Sequence, residues 1–427
     1  MQNGIFVAQI GARWNYLVPR ILAEGGVLSR FVTDFWCPRW VSWVLNGLNT
    51  VRWIPRRLKA VGGRRDPLIP DELVLDFPWF AFKYLRAKRL ARARGDIYGA
   101  YVWGGRTFCQ LAARAMPRTA AAVYAFTSAG LELFEEAKNR NIAVILDHAS
   151  GFVTVEAEFY QQQWARYPQW GPPRRITQGL EEYAERQRKE LDLATLVLAP
   201  SSFARDCLIK AGADKSKVVV LPLGVPIQDF GEIEKQRQAS EFRVLFVGRQ
   251  ALLKGVPDLV EAVRLLKTSR IRVKVVGIEQ IPPEERDKMP EGVEFVGEVS
   301  RREVAEFYRW ADVLVFPTVS DTFGFVLIEA LSHGVPVIGS SHSAAPDIVR
   351  PGQEGFVIPP MRPDLIAESL DLLLRNPKLL CEMQKAARAR AREFSESRYK
   401  SRFFEVIARM LPEITAIQSC PAEPESG

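Results

Sequence analysis

Histidine, cysteine and long apolar runs are what this 427-residue chain has least of. Its three histidines, His148, His333 and His342, show no metal-ligand spacing, so no metal and no cofactor is expected. Its five cysteines, Cys37, Cys109, Cys207, Cys381 and Cys420, are scattered and odd in number. That argues against a disulfide framework and suits reduced thiols in a cytoplasmic setting. No apolar run reaches the roughly 20 residues of a membrane-spanning helix. "NGIFVAQIG" near the start is short and lacks a basic leader, so it reads as a first strand and not as a signal peptide. No G-x-G-x-x-G follows a strand-like run at the head of either half, which disfavours a dinucleotide-dependent oxidoreductase.

What is present is the composition of a globular protein, 47% hydrophobic and 25% charged, at a length that predicts two domains. The net charge of +8 is unevenly placed. Arg30 to Arg118 holds 17 Lys or Arg against 6 Asp or Glu, while the rest of the chain holds 41 against 44. The same region contains "FWCPRWVSWVLNGLNTVRWIPRRLK", in which Trp36, Trp40, Trp43 and Trp53 alternate with Arg39, Arg52, Arg56, Arg57 and Lys59. Interleaved basic and aromatic residues over 35–94 suit an anionic membrane surface. The alternative is a solvated basic face over buried tryptophans. Nucleic acid is not expected, because no recognised binding motif accompanies the charge.

Strand-like and helix-like segments alternate along the chain. "GIFVAQIG", "LSRFVTD", "DIYGAYVWGG", "AAVYAFTS" and "NIAVILDH" read as strands of a first series. "FRVLFVG", "IRVKVVG", "GVEFVGEVS", "DVLVFPT" and "VPVIGS" read as strands of a second. Short apolar strands separated by helices predict an α/β protein with two facing, doubly wound parallel sheets. The expected divisions are a Rossmann-like acceptor-binding domain over 1–225, a charged linker "FGEIEKQRQASEF", and a Rossmann-like nucleotide-sugar-binding domain over 240–392. A closing helix over 393–412 is expected to return to the first domain, followed by a disordered tail over 413–427. Ligands of such sheets bind outside the carboxyl ends of the strands.

Four stretches at those ends carry chemistry. In "FVGRQALLKG" a strand ends at Gly248, and Arg249 and Lys254 precede a helix, which makes an anion site suited to phosphate. In "SDTFGFVLIEALSHGVPVI" Asp321 and Glu329 stand eight positions apart around a nearly all-apolar helix. A carboxylate on a buried helix needs partners, although an N-cap Asp321 or Thr322 and a solvent-facing Glu329 is the simpler alternative. From Phe323 to Glu329 a helix rises roughly 9 Å. Two carboxylates so separated suit the two hydroxyl-bearing ends of a nucleotide sugar, with its anionic middle at the helix N-terminus. "GVEFVGEVS" ends a strand at Val296-Gly297 at the same edge, where backbone groups are placed to read a base. "VILDHASG" brings Asp147 and His148 to the end of a first-domain strand, where His148 is expected to face the cleft. "IGAR", from Gly11 to Arg13, offers a second anion contact.

The order of these pieces resembles the retaining glycosyltransferases of the GT-B fold, family four. "GRQALLKG" is similar to that family's GR…KG donor-phosphate motif. "EFVGEVSRREVAEFYRWADVLVFPTVSDTFGFVLIEALSHGVPVI" is similar to its donor-binding core, and "ERQRKELDLATLVLAPSSFARDCLIKAGADKSKVVVLPLGV" to the stretch before its domain crossover. The resemblance runs from about Glu185 to the last helix; before that only the architecture matches. It implies that Glu329 holds the ribose hydroxyls and that Arg249 and Lys254 bind the diphosphate. It also implies that the backbone amides of Phe323, Gly324, Phe325 and Val326 hold sugar hydroxyls and phosphate. Asp321 fills the first acidic position, where the family usually has Glu, and His148 matches a histidine near the transferred sugar. The family's paired glycines after the first strand are reduced to Gly11.

The implied activity is metal-independent transfer of a hexosyl unit, with retention, from a nucleotide-diphosphate sugar to a hydroxyl acceptor. The acceptor is expected to be a glycan or a lipid-linked group, in surface-polysaccharide or glycolipid assembly at the inner membrane face. Two alternatives stay open: an epimerase or hydrolase of the same fold, which turns over donor without acceptor, and a non-catalytic sugar-nucleotide- or membrane-binding protein, which never turns it over.

Overall fold

Runs of Val, Ile, Leu and Phe form two wholly parallel sheets in the computed structural model, which describes residues 4–47, 61–226, 241–249, 251–277, 281–412 and 414. The first sheet contains β1 (Ile5–Gln9), β2 (Leu28–Thr33), β3 (Val74–Asp76), β4 (Ala122–Phe126), β5 (Ala143–Asp147), β6 (Leu196–Ala199) and β7 (Val218–Val220), in the order β3-β2-β1-β4-β5-β6-β7. The second contains β8 (Phe242–Val247), β9 (Ile271–Val276), β10 (Val293–Gly297), β11 (Val313–Phe316), β12 (Val337–Ser340) and β13 (Gly355–Ile358), in the order β10-β9-β8-β11-β12-β13. The central strands β1, β4, β6, β11 and β12 are buried along their whole length. Helices cover both faces of such sheets, so their strands read as nearly continuous apolar runs, broken here only near the carboxyl ends by Gln9 of β1 and by Gly339 and Ser340 of β12.

In each sheet the chain first winds one way and then the other. The reversal falls between β1 and β4 in the first sheet and between β8 and β11 in the second. The loops leaving such a pair of strands part in opposite directions and open a crevice. The two crevices carry the residues that matter here.

One sequence expectation is corrected. "DIYGAYVWGG" is not a strand; it opens the helix Ile97–Ala115, capped by Asp96 accepting from the N–H of Gly99. Its glycines mark close packing and not a chain break. A Cβ on Gly104 would meet the Tyr84 ring at 2.3 Å, and one on Gly105 the Ser128 carbonyl oxygen at 2.1 Å. The linker expected at "FGEIEKQRQASEF" lies outside the described residues except for Glu241 and Phe242, and so does the tail except for Ile414. Arg52, Trp53, Arg56, Arg57 and Lys59 of the basic aromatic segment also lie outside them.

The domains are stitched at several points. The helix Glu396–Met410 runs back over the first domain: Arg20 pairs with Glu396 at 2.6 Å, Lys400 with Glu24 at 3.1 Å, and the Phe403 and Tyr124 rings lie 6.1 Å apart. In the other direction, the helix Val153–Arg166 reaches across to Asp258 of the second domain. That carboxylate is fully buried and accepts from Gln163 (2.5 Å), Arg166 (2.8 Å) and Tyr167 (3.1 Å). Trp170 then buries itself in the second domain's core. These contacts hold the two crevices against each other.

Candidate functional site

In the second domain, Lys254 follows β8 and Asp321 follows β11, so both reach the switch-point crevice. The Lys254 ammonium donates to Asp321 Oδ2 at 2.6 Å and lies 3.4 Å from the Ser320 carbonyl. The other oxygen, Oδ1, accepts the N–H of Phe323 at 3.1 Å. This changes the expectation for Phe323: its amide is engaged by Asp321, and its ring is buried. Gly324 comes next, at φ +83°, where a side chain would collide with the Phe316 ring. The helix begins only at Phe325 and ends at Ser332, with no side-chain cap at its N-terminus. The N–H groups of its first turn lie outside the helical ladder. Neither Asp321 nor Thr322 is therefore its N-cap.

Glu329 is half-buried on this helix, and its partner is the hydroxyl of Tyr308, which donates to Oε2 at 2.9 Å. Tyr308 is itself buried and stacks on His333. Burial, and then the neighbouring carboxylate, push its phenol well above its ordinary pKa, so it remains a donor. Arg249 is the exposed member, with its side chain 73% accessible and paired to Glu298 at 3.1 Å. Val296 is half-buried at the end of the edge strand β10, beside Gly297 at φ +80°.

The first-domain half is built on an unusual turn. After β1, Trp14, Asn15 and Tyr16 all adopt left-handed backbone conformations, with φ of +49°, +51° and +62°. Each such residue costs about 1–2 kcal/mol for an L-amino acid. Tertiary contacts hold the turn. The Trp14 indole donates to Asp147 Oδ2 at 3.0 Å, and its ring packs edge-on against Phe126 of the first domain and Phe325 of the second. Tyr16 is buried and its hydroxyl accepts from Arg64. Trp14 thus touches both crevices at once. Gly11, at φ +81°, donates its N–H to Asp34 at 2.9 Å.

Asp147 ends β5 and His148 follows it, and both are buried. Burial raises the Asp147 pKa to about 6, against the lowering effect of hydrogen bonds from Tyr124 and Trp14. His148 does not face the cleft as expected; it is only 1% exposed. Its Nδ1 donates to the carbonyl of Ser150, which leaves Nε2 to accept from the Thr127 hydroxyl at 3.3 Å. The ring stands one layer behind the wall formed by Thr127 and Ser150. Its hydrogen bonds go to the two residues of that wall.

Burial lowers the His148 pKa to about 4. The folded state favours the neutral ring, so its contribution to stability is complete above the unfolded value near 6.5 and is lost as pH falls toward 4. His148→Asn is expected to flatten the wild-type loss over this window by up to about 3 kcal/mol. Urea unfolding of both proteins across the pH range checks it; parallel curves would refute it.

Between these elements lies a cavity of about 950 Å³. Gly11 and Arg13 after β1, Asp34 after β2, and Thr127 and Ser128 after β4 form part of its wall. The helix Pro78–Arg94 supplies another side through Tyr84, Leu85, Lys88 and Arg92. Lys88 and Arg92 are absent from the sequence expectations, and a signal for them existed. Positions 81, 84, 85, 88 and 92 of "AFKYLRAKRLARAR" fall on one helical face, which the overall basic charge of the region masks.

The structure therefore brings Lys254, Asp321, Gly324, Phe325 and Val326 together at one crevice. It places Glu329 on the same helix, puts Arg249 and Val296 at the rim, and sets His148 behind the opposing wall. The domains meet here: the Thr322 hydroxyl donates to the Ala149 carbonyl at 3.2 Å, and the Ser201 hydroxyl to the Thr322 carbonyl at 2.6 Å.

Comparison with known proteins places this arrangement. Residues 229–390 match the family model of glycosyl transferases group 1. The D-inositol 3-phosphate glycosyltransferase of Streptomyces scabiei is 33% identical over 207 residues, 43% of this chain and 46% of that protein. An uncharacterized 41.2 kDa protein in the cps region of Klebsiella pneumoniae is 26% identical over 38% of this chain and 47% of its own length. The chain thus spans about half the length of these relatives. Over nearly the whole chain the fold superposes on Anabaena HepE in complex with UDP, with TM-score 0.61, 15% identity, and 95% and 100% of the two chains covered. The sucrose-phosphate synthase of Thermosynechococcus elongatus superposes with TM-score 0.62 at 17% identity, covering 96% and 99%. The chain has the two-domain GT-B fold, and its residues 229–390 are similar to glycosyl transferases group 1.

Proposed function

We propose that the protein transfers a hexosyl unit from a nucleotide-diphosphate sugar to a hydroxyl acceptor with retention of configuration, in surface-polysaccharide or glycolipid assembly. The observation that carries this is the meeting of Lys254 and Asp321 at one switch point, while the adjoining Thr322 bonds to Ala149, next to Ser150 in the wall of the cavity at the other. The diphosphate lies against Lys254 and the first-turn N–H groups of Phe325 and Val326. Arg249 turns from Glu298 onto the same phosphates. Glu329 takes the ribose hydroxyls, and the backbone at Val296 the base. The acceptor oxygen attacks the anomeric carbon on the face from which the diphosphate departs. The carbon–oxygen bond to the β-phosphate breaks, and the departing oxygen takes the acceptor's proton. Lys254, Arg249 and the helix N-terminus stabilise the charge that develops on the diphosphate, and no metal ion is required. Asp321 holds Lys254 and the loop in place.

A thermal-shift panel of UDP, GDP, ADP and dTDP tests the donor site, with UDP first because HepE is seen with it. At about 100 times Kd a specific ligand adds roughly 3 kcal/mol of stability. We expect one nucleotide to do so and Glu329→Ala to remove most of the shift. Four inert nucleotides would sink the proposal.

The same reading places the acceptor domain on an anionic bilayer. The helix Pro78–Arg94 exposes Trp79, Phe82, Leu85 and Leu90 among its arginines and lysines, and the helix Arg39–Gly47 exposes Trp40 and Trp43. Among the described residues no helix is long and apolar enough to cross a membrane. Co-sedimentation with phosphatidylglycerol vesicles at low salt is expected, weakening as salt screens the charge. Protein that stays in the supernatant at low salt would remove this part.

A further inference from the structure

The cavity at the first switch point has a charge imbalance. Its two carboxylates are already engaged: Asp34 pairs with Arg64 and accepts from Gly11, and Glu156 pairs with Arg174 at 2.9 Å. Three cations of its wall, Arg13, Lys88 and Arg92, have no such partner; among the described residues none of them is in an ion pair. Lys88 is half-buried, with its ammonium 4.3 Å over the ring of Tyr84. Burial lowers its pKa, and Arg92, Arg64 and Arg13 act in the same direction against Asp34, so the guanidiniums are close enough to be felt. An ammonium drawn partly out of water beside like charges is unfavourable until an anion joins it. The wall beside the cations is apolar, with Phe82 and Leu85 lining the cavity while still 59% and 63% exposed.

We propose that the acceptor is a phosphate ester, and that Arg13, Lys88 and Arg92 hold its phosphate while Phe82 and Leu85 take the carbon chain next to it. This rests on the transferase reading, because it assigns the acceptor of that same site. Three cationic donors on one wall suit the several oxygens of a phosphate. Both a free sugar phosphate and the phosphate of a lipid carrier present that chemistry.

The test uses the full chain saturated with whichever nucleotide stabilises it, so that the donor crevice is filled. Dodecyl phosphate, glucose 6-phosphate and dodecyl maltoside are titrated in turn, the detergents below their micelle concentrations. Dodecyl phosphate is expected to bind saturably and dodecyl maltoside not. Lys88→Gln and Arg92→Gln are each expected to weaken dodecyl phosphate about tenfold. Lys83→Gln, on the same helix but outside the cavity wall, is expected to leave it unchanged. Saturable binding of glucose 6-phosphate as well assigns a free phosphate source; its failure beside dodecyl phosphate assigns a lipid one. Equal binding of the two amphiphiles, or folded Lys88 and Arg92 variants with wild-type affinity, would overturn the proposal. If no nucleotide binds, the transferase reading fails by itself, and the same titrations on the free protein still decide whether the cavity takes a phosphate ester.

Discussion

Lys254→Ala is expected to lower the rate of sugar transfer by about two to three orders of magnitude while moving the unfolding midpoint little. Its ammonium sits in the loop after β8, in the crevice where the proposed reaction leaves charge on the departing diphosphate, and it is held more firmly than Arg249, which is 73% exposed against 19% for Lys254. A preorganised charge in a site partly out of water acts on the transition state without first having to reorganise. The cost to folding is smaller. Asp321 is left without its ion pair, but at 21% exposure it keeps the Phe323 N–H and gains water. For a pair so placed the loss is about 1 kcal/mol.

A second variant separates the two roles of Lys254. If it serves only to neutralise Asp321, the double change Lys254→Ala with Asp321→Asn restores the rate. If its charge acts on the diphosphate, the double variant stays as slow as the single one. A Lys254→Ala protein that keeps more than about a tenth of the wild-type rate, roughly 1.4 kcal/mol of barrier, would remove Lys254 from its proposed place.

How much of this was legible beforehand depends on how local each signal is. The two parallel sheets follow from apolar strands alternating with helices, and the crevice edge of the second sheet from two short motifs whose glycines have local backbone demands. The partner of Asp321 was not legible, because Lys254 lies 67 positions earlier and only the strand order brings them together. Sequence spacing alone made Asp321 and Glu329 the ends of one clamp. In the structure Asp321 ties Lys254 to the turn at Phe323, and Glu329 accepts from Tyr308, two partners that the spacing did not show. His148 was placed by its strand but not by its depth, which the contact with Thr127 after β4 helps determine. "DIYGAYVWGG" was misread because β-branched and aromatic residues with two glycines mimic a strand and its turn. The glycines in fact admit Tyr84 and the Ser128 carbonyl against a helix.

Gly255→Ala, one residue beyond Lys254, is expected to be among the most destabilising additions of a single methyl group, at about 3–5 kcal/mol. Gly255 caps the helix Val256–Leu266 with φ +71°, and a Cβ there would stand 2.0 Å from the carbonyl oxygen of Pro317. That carbonyl belongs to the loop leaving β11, and the two loops are laced together: the N–H of Val319 and the hydroxyl of Thr318 both donate to the Leu253 carbonyl, at 2.9 and 3.3 Å. Relief of the clash therefore moves the backbone on both sides of the crevice. Gly11→Ala is the control, since φ is +81° there but nothing lies within 4 Å of the added carbon; only the left-handed penalty of about 1–2 kcal/mol is expected. Urea unfolding of the two variants measures the difference. Equal losses would show that the backbone angle alone requires glycine at 255. A larger loss at Gly255 would show that the glycine of "LLKG" is there so that the loops after β8 and β11 can touch, which is the contact that brings Lys254 to Asp321.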